Sequence, residues 1–233
     1  MPIVLVTGAS QGIGRAAAVA FSDLEGARLA LVSRNESLLQ ETLEQCRARG
    51  AEADYFLCDV TDESAVAEMA ASVGRRFGTP DVLINNAGLF EPGGMADMTV
   101  DVFRRQVEAN LTSAFIVTRA FLNGMLDRGT GHLFYMCSVA SVKAYPGGAA
   151  YCAAKHGLLG LARVVRAETR EAGLRVTAVM PGATYTRSWE SSDLPEERFM
   201  PPEDVGKAMV DVYGLSDRSV VEEILIRPQL GDV

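Results

Sequence analysis

The chain has 233 residues, 48% of them apolar, with 30 acidic against 22 basic side chains and a net charge of −8. That length and apolar share suit one α/β domain with a continuous core and exclude a disordered chain. The acidic balance excludes a nucleic-acid binder, and no apolar run reaches the about 18 residues of a membrane span.

Short apolar runs alternate with stretches of helical spacing. Ile3–Val6 predicts a first strand, followed by a helix over 13–25. Leu29–Val32 and Tyr55–Leu57 predict the next two strands, with helices over 36–49 and 62–77. Val82–Ile84 precedes one long helical pattern over 99–127, and Leu133–Met136 precedes another over 150–172. Val176–Met180, a helix over 202–213 and Ile224–Ile226 complete the series. The strand runs show little polar alternation, as expected of strands covered on both faces. The β-then-α order predicts right-handed crossovers and a mostly parallel, seven-stranded sheet with helices on both faces. Residues 1–233 are thus expected to form a single doubly wound α/β domain. The stretch 183–201, with Ser191-Ser192-Asp193, Pro195 and Pro201, is expected to be a loop covering a pocket.

In such sheets ligands bind beyond the carboxyl ends of the strands. After the first run comes Thr7-Gly8-Ala9-Ser10-Gln11-Gly12-Ile13-Gly14. Glycines there permit a tight turn and let backbone N–H groups at a helix start approach a pyrophosphate. A Gly-rich connection without chemistry is the alternative. After the second run stands Ser33-Arg34-Asn35, where an acidic residue would hold ribose hydroxyls and repel a 2′-phosphate. The missing carboxylate and the forked guanidinium of Arg34 favour NADP(H) over NAD(H), unless Arg34 is only a surface charge. Asp59-Val60, after the third run, either receives an adenine amino group or caps the helix near Asp62.

Tyr151 and Lys155 lie four apart on a predicted helix and share a face. A nearby ammonium favours phenolate, which would let a tyrosine exchange protons with an alcohol or carbonyl. Ser138, closing the fifth strand, is placed to hydrogen-bond a substrate oxygen, and Asn110 to hold a water. Taken alone, such a Tyr–Lys pair reads equally as a snorkelling tyrosine beside a solvated lysine.

Thr7-Gly8-x-x-x-Gly12-x-Gly14, Asn85-Asn86-Ala87-Gly88, Asn110, Ser138, Tyr151-x-x-x-Lys155 and Pro181-Gly182 together resemble the short-chain dehydrogenase/reductase family, across essentially the whole chain. The resemblance implies a Rossmann fold and an NADP(H)-dependent oxidoreductase interconverting a secondary alcohol and a ketone or aldehyde. It implies Tyr151 as general acid/base, Lys155 as its activator and ribose ligand, Ser138 as the carbonyl-orienting group and Asn110 as holder of a relay water. Gly8, Ser10, Gln11, Gly12, Ile13 and Gly14 would cradle the phosphates, with Ser33 and Arg34 at the 2′-phosphate. Asp59 and Val60 would meet adenine, and Asn86, Ala87 and Gly88 the adenosine side. Pro181, Gly182, Thr184 and Thr186 would hold the carboxamide. No metal is implied, because the cofactor carries the hydride chemistry. A homodimer or homotetramer through the helices near 99–127 and 150–172 is implied too, and Leu158, Leu159 and Leu161 look surplus to one core face.

Within the enzyme reading, a 3-hydroxy-acid dehydrogenase or a 3-oxoacyl thioester reductase are narrower alternatives; Arg187 is the candidate cation for a substrate carboxylate. An NADP(H)-sensing regulator is the non-enzyme alternative. Cys46, Cys58, Cys137 and Cys152 show no paired spacing, so a cytoplasmic protein without disulfides or zinc is expected, and Met1–Val6 lacks the pattern of a signal peptide. Cys137 and Cys152 flank the proposed site and read best as buried fillers rather than a redox switch. His156 is expected to point away from the site. Trp189 either closes over substrate or staples its loop; Tyr145 and Met180 are wall or core.

Overall fold

A computed structural model gives the fold and describes residues 1–189 and 192–231, with the side chain of Ser188 left out. Seven strands form one sheet: β1 (Ile3–Thr7), β2 (Arg28–Ser33), β3 (Glu52–Leu57), β4 (Val82–Asn85), β5 (Gly131–Met136), β6 (Leu174–Pro181) and β7 (Glu223–Ile226). Their order is β3-β2-β1-β4-β5-β6-β7, and every neighbouring pair is parallel. The helices are α1 (Gly12–Phe21), α2 (Glu36–Ala48), α3 (Glu63–Arg76), α4 (Val100–Val107), α5 (Ser113–Arg128), α6 (Ala149–Thr169) and α7 (Pro202–Tyr213). This is the doubly wound Rossmann-like arrangement expected from the strand and helix order.

The absence of polar alternation has the anticipated cause. Along β1, Ile3 and Leu5 join one core with Val66, Val117, Phe121 and Leu158, while Val4 and Val6 join another with Ala17, Phe21, Leu39 and Met209. Successive side chains point to opposite faces, and helices cover both. Leu158 and Leu159 are 1% and 3% exposed within the chain's own core, so they are not surplus apolar surface; Leu161 packs against the same core.

Several boundaries shift from the sequence pattern, β3 for one beginning at Glu52 rather than Tyr55, and two of the shifts change an element. α1 stops at Phe21, where its bonds give way to tighter i→i−3 turns, Asp23 N–H to the Ala20 carbonyl and Leu24 N–H to the Phe21 carbonyl, and Gly26, at φ +67°, then turns the chain into β2. The single pattern over 99–127 is two helices joined by a π-turn, Glu108–Thr112. Such turns insert extra backbone into a helix and gather at functional sites. Asn110 lies at its centre.

β5 also carries a buried titratable group. His132 is wholly buried, stacks on Phe134 at 4.0 Å, and pairs Nε2 with Thr177 Oγ1 at 2.8 Å. Thr177 donates its own proton to the Val221 carbonyl, so Nε2 must be the donor and Nδ1 the unpartnered lone pair. Burial, aided by Arg175, pushes the His132 pKa down to about 3. A base whose folded pKa is depressed is protonated first in the unfolded chain, so stability falls as pH drops below about 6.5. His132→Leu is expected to flatten the decline in Tm between about pH 6.5 and 4. Parallel melting curves for the two proteins across that window would argue against this assignment.

Candidate active site

The carboxyl ends of β1 to β6 and the segments that follow them contribute to one cleft of about 920 Å³ at the carboxyl edge of the sheet. All of Gly8, Ser10, Gln11, Gly12, Ile13, Gly14, Ser33, Arg34, Asp59, Val60, Asn86, Ala87, Gly88, Asn110, Ser138, Tyr151, Lys155, Pro181, Gly182, Thr184 and Thr186 line it. Residues separated by most of the chain are brought together because strand order reverses between β1 and β4.

At one end, the turn after β1 leads directly into α1. Gln11 sits at the N-cap with extended backbone, no side chain caps the helix, and its first turn carries no acidic residue. The free N–H groups and the positive end of the helix dipole therefore suit an anion. Gly14 is required by close approach: a Cβ there would overlap the Gly8 carbonyl and Asn86 Nδ2. Thr7 ties this turn to β4, since its hydroxyl accepts from the N–H groups of Asn86 and Ala87 at 3.0 and 3.1 Å. Asn86 Nδ2 returns a bond to the Thr7 carbonyl at 2.9 Å. The uncapped helix and the compact glycine turn fit a dinucleotide diphosphate.

Beside the turn, the Ser33 hydroxyl donates to Ser10 at 3.0 Å, and Arg34 meets Asp59 at 3.3 Å. Partial burial raises the Asp59 pKa, but hydrogen bonds from Thr61 and the Arg34 guanidinium outweigh it and hold the carboxyl below its usual value. Arg34 is largely exposed, so its guanidinium is open to a ligand on the cleft side.

At the other end, Tyr151 and Lys155 project from the first turns of α6. Lys155 is 3% exposed, donates to the Met136 carbonyl at 2.7 Å, and its Nζ lies 5.5 Å from the Tyr151 ring centre. Burial pushes Lys155 down to about 8, with Cys137 opposing the shift. Burial pushes Tyr151 up to about 12, against the pull of the Ser138 hydroxyl. Tyr151 is therefore a protonated donor at neutral pH. Ser138 follows β5 and caps a short turn, accepting from the Ala140 N–H at 3.1 Å.

Asn110 makes contacts that the sequence did not predict. Its side-chain amide, 1% exposed, is engaged with backbone: Nδ2 donates to the Leu89 and Gln106 carbonyls at 2.7 and 2.9 Å, and Oδ1 accepts from the Leu89 N–H. Besides the part expected of it, the amide fixes the segment after β4.

Several wall residues were not singled out in the sequence: Leu89, Phe90, Arg105, Glu108 and Lys143. Phe90 had a usable signal, an aromatic directly after Asn-Ala-Gly at a strand's carboxyl end. Its ring stands 5.1 Å from that of Tyr151 and 6.5 Å from that of Tyr145, which also lines the cleft. Trp189 packs on Phe199 at 5.0 Å, as a staple of its loop would, and it also lines the cleft. Arg187 is exposed and lies outside the lining, and Met180 belongs to the core. Cys137 and Cys152 are buried, and only Cys137 reaches the wall. His156 points away and hydrogen-bonds the Cys152 carbonyl at 2.8 Å. Of the 183–201 stretch, Ser191 lies outside the described residues. The ends of that stretch are pinned by Tyr185 N–H to Met200 carbonyl and Met200 N–H to Ala183 carbonyl, at 2.8 and 3.0 Å. Among the described residues, no helix is long and apolar enough to cross a membrane.

The family model described as short chain dehydrogenase matches residues 2–197. The chain belongs to the short-chain dehydrogenase/reductase family. This short-chain dehydrogenase/reductase is an oxidoreductase acting on CH–OH or carbonyl groups. It is 37% identical to a sepiapterin reductase of Chlorobaculum tepidum over 99% of its own length and 98% of that protein's. Its fold matches an alcohol dehydrogenase of Thermococcus sibiricus in complex with 5-hydroxy-NADP, with TM-score 0.93, 28% identity, and 100% and 99% of the two chains covered. It also matches an actinorhodin polyketide ketoreductase variant with NADPH, at TM-score 0.91, 30% identity, and 100% and 98% coverage.

Proposed function

We propose that this short-chain dehydrogenase/reductase is an NADP(H)-dependent enzyme interconverting a secondary alcohol and a ketone or aldehyde. The observation that carries the reading is one cleft joining an uncapped, glycine-built helix start to a buried Tyr151–Lys155 pair with Ser138 beside it. NADP(H) complexes of two structural neighbours support the cofactor.

When bound, the nicotinamide cofactor supplies or accepts the hydride. The turn from Gly8 to Gly14 holds the diphosphate, Ser33 and Arg34 the 2′-phosphate, and Asp59 and Val60 the adenine. Asn86, Ala87 and Gly88 line the adenosine side, while Pro181, Gly182, Thr184 and Thr186 hold the carboxamide. In reduction, the Tyr151 hydroxyl gives its proton to the carbonyl oxygen as negative charge develops there, and Ser138 donates a hydrogen bond to the same oxygen. Lys155 in its ammonium form stabilises the tyrosinate left behind. In oxidation Tyr151 takes the alcohol proton. Ala183, Thr184, Thr186 and Trp189 close the substrate end of the single domain. A cytoplasmic homo-oligomer completes the proposal, with exposed Phe115 and Val164 on α5 and α6 as apolar contact residues.

A second reading, a 3-oxo or 3-hydroxy acid as substrate, draws on Lys143 in the cleft wall, and on Arg105, which Glu91 holds in an ion pair at 2.6 Å, in place of Arg187. The deciding experiment titrates NADPH and NADH, then measures turnover on ketones, aldehydes, 3-oxo acids and a 3-oxoacyl thioester. NADPH binding with carbonyl turnover is expected, and tight binding without turnover on any class would overturn the assignment. Ser33→Asp is expected to weaken NADPH binding at least about tenfold and leave NADH unaffected or improved, because a carboxylate there repels a 2′-phosphate. An unchanged NADPH/NADH ratio of Kd values would remove Ser33-Arg34 as the selector.

A further inference from the structure

The segment after β4 is held in an unusual manner. The Glu91 N–H donates to Gln106 Oε1 at 3.2 Å, and Gln106 Nε2 donates back to the Glu91 carbonyl at 3.0 Å. Two residues earlier, Leu89 makes the same two-way exchange with Asn110, at 3.3 and 2.7 Å. In an extended chain, residues i and i+2 present their N–H and C=O groups to one edge. Two carboxamides, one helical turn apart, thus satisfy that edge as a neighbouring strand would. Gln106 is 0% and Asn110 1% exposed, so the carboxamide side of these part-buried bonds is kept from water. Gly88 makes the approach feasible, since a Cβ there would stand 2.5 Å from Asn110 Oδ1. Farther along, the Gly93 N–H donates to the Gly147 carbonyl at 3.0 Å, tying the segment to the entry of α6.

Between the two clamped residues lies Phe90. It is 40% exposed although its neighbours' backbone is fully engaged, it lines the cleft, and it packs edge-on against Tyr151 at 5.1 Å. The ring is left partly open to solvent while the backbone on either side of it is held, and its ring contacts are with Tyr151 and Tyr145; its setting is that of a wall beside the proton donor.

We infer that Gln106 is a positioning residue: with Asn110 it serves as a surrogate strand that fixes Phe90 as the substrate-selecting wall against Tyr151. This rests on the proposed function only in assigning Tyr151 its proton. The clamp belongs to the substrate end, so its loss alters substrate KM and selectivity while cofactor affinity stays constant.

The test is a double-mutant cycle of Gln106→Met, which keeps volume but removes both bonds, and Phe90→Ala. In Gln106→Met, exchange of the Glu91 amide proton is expected to quicken at least about tenfold. KM for a bulky aryl ketone is expected to rise about tenfold, with kcat and NADPH Kd within about twofold. Because Gln106 acts through Phe90, the double variant is expected to match Phe90→Ala alone. Additive losses, unchanged amide exchange, or a rise in NADPH Kd equal to that in KM would each overturn the inference. The Tyr151 ring resonances of the protein without ligands provide an arm independent of turnover. They shift in Gln106→Met if the clamp seats Phe90 on that ring and stay in place if it does not. A wild-type protein inert towards all carbonyls would refute the proposed function while this arm still decided the clamp.

Discussion

Tyr151→Phe is expected to lower carbonyl turnover by about 10²–10⁴-fold while leaving NADPH affinity within about twofold. The variant removes one hydroxyl from a ring that otherwise keeps its packing on Phe90. The geometry also sets the sign of the pH dependence. Burial pushes Tyr151 up to about 12, so in reduction the donor is protonated throughout the neutral range. In oxidation the same group must lose its proton, and the rate should rise with pH. Lys155, pushed down to about 8, supplies its positive charge below that value and withdraws it above. The oxidation profile is therefore expected to rise and then level near pH 8, whereas reduction should decline above it. Steady-state rates in both directions from pH 6 to 10 measure this; a Tyr151→Phe protein as fast as wild type would end the acid/base assignment.

The second large effect concerns the phosphate end. Gly14→Ala adds one carbon where the Gly8 carbonyl and Asn86 Nδ2 already stand. Neither neighbour is free to retreat: Asn86 Nδ2 is bound to the Thr7 carbonyl, and Gly8 belongs to the turn itself. Overpacking against backbone costs about 1–3 kcal/mol, and the turn that relieves it no longer presents its N–H groups in register. A drop in Tm together with at least about a 100-fold loss in NADPH affinity is expected. Gly160→Ala is the matched control. It lies in α6 with open space around the added carbon, so it should gain about 0.5–1 kcal/mol from helix propensity. Thermal melts and a fluorescence titration of the two variants give the comparison, and a Gly14→Ala protein that binds and melts like wild type would show that the turn tolerates rearrangement.

The inner strands were legible because each is a short apolar run covered on both faces, a pattern that polar surface strands do not mimic; the partly exposed edge strands β3 and β7 were legible as short apolar runs in the same β-then-α order. The cleft was legible for a related reason: its residues sit at the ends of those runs, and sheet topology alone gathers such ends. What escaped is equally physical. The π-turn at 108–112 advances the helix phase by a fraction of a turn within a long apolar pattern, so one helix and two helices give nearly the same periodicity. Asn110 was singled out for a water, but its hydrogen bonds depend on where Leu89 comes to lie, and no local signal encodes that. Gln106 looked like any polar residue of an amphipathic helix and is wholly buried. Leu158 and Leu159 looked surplus because the sequence does not say how wide a stripe the sheet can cover.

The position of β1 in the sheet bears on how the chain reaches this state. β1 can pair with β2, and β2 with β3, once the first 57 residues are available, but its other edge must wait for Val82–Ile84. The outer side of α1 waits longer. It is covered by α7, whose Gly206 packs so close that a Cβ would stand 2.8 Å from the Ala16 carbonyl. The edge of β1 is thus open until β4 arrives, and the outer side of α1 stays bare until α7 does; such non-local parallel pairing is of the kind that folds slowly and exposes apolar surface on the way.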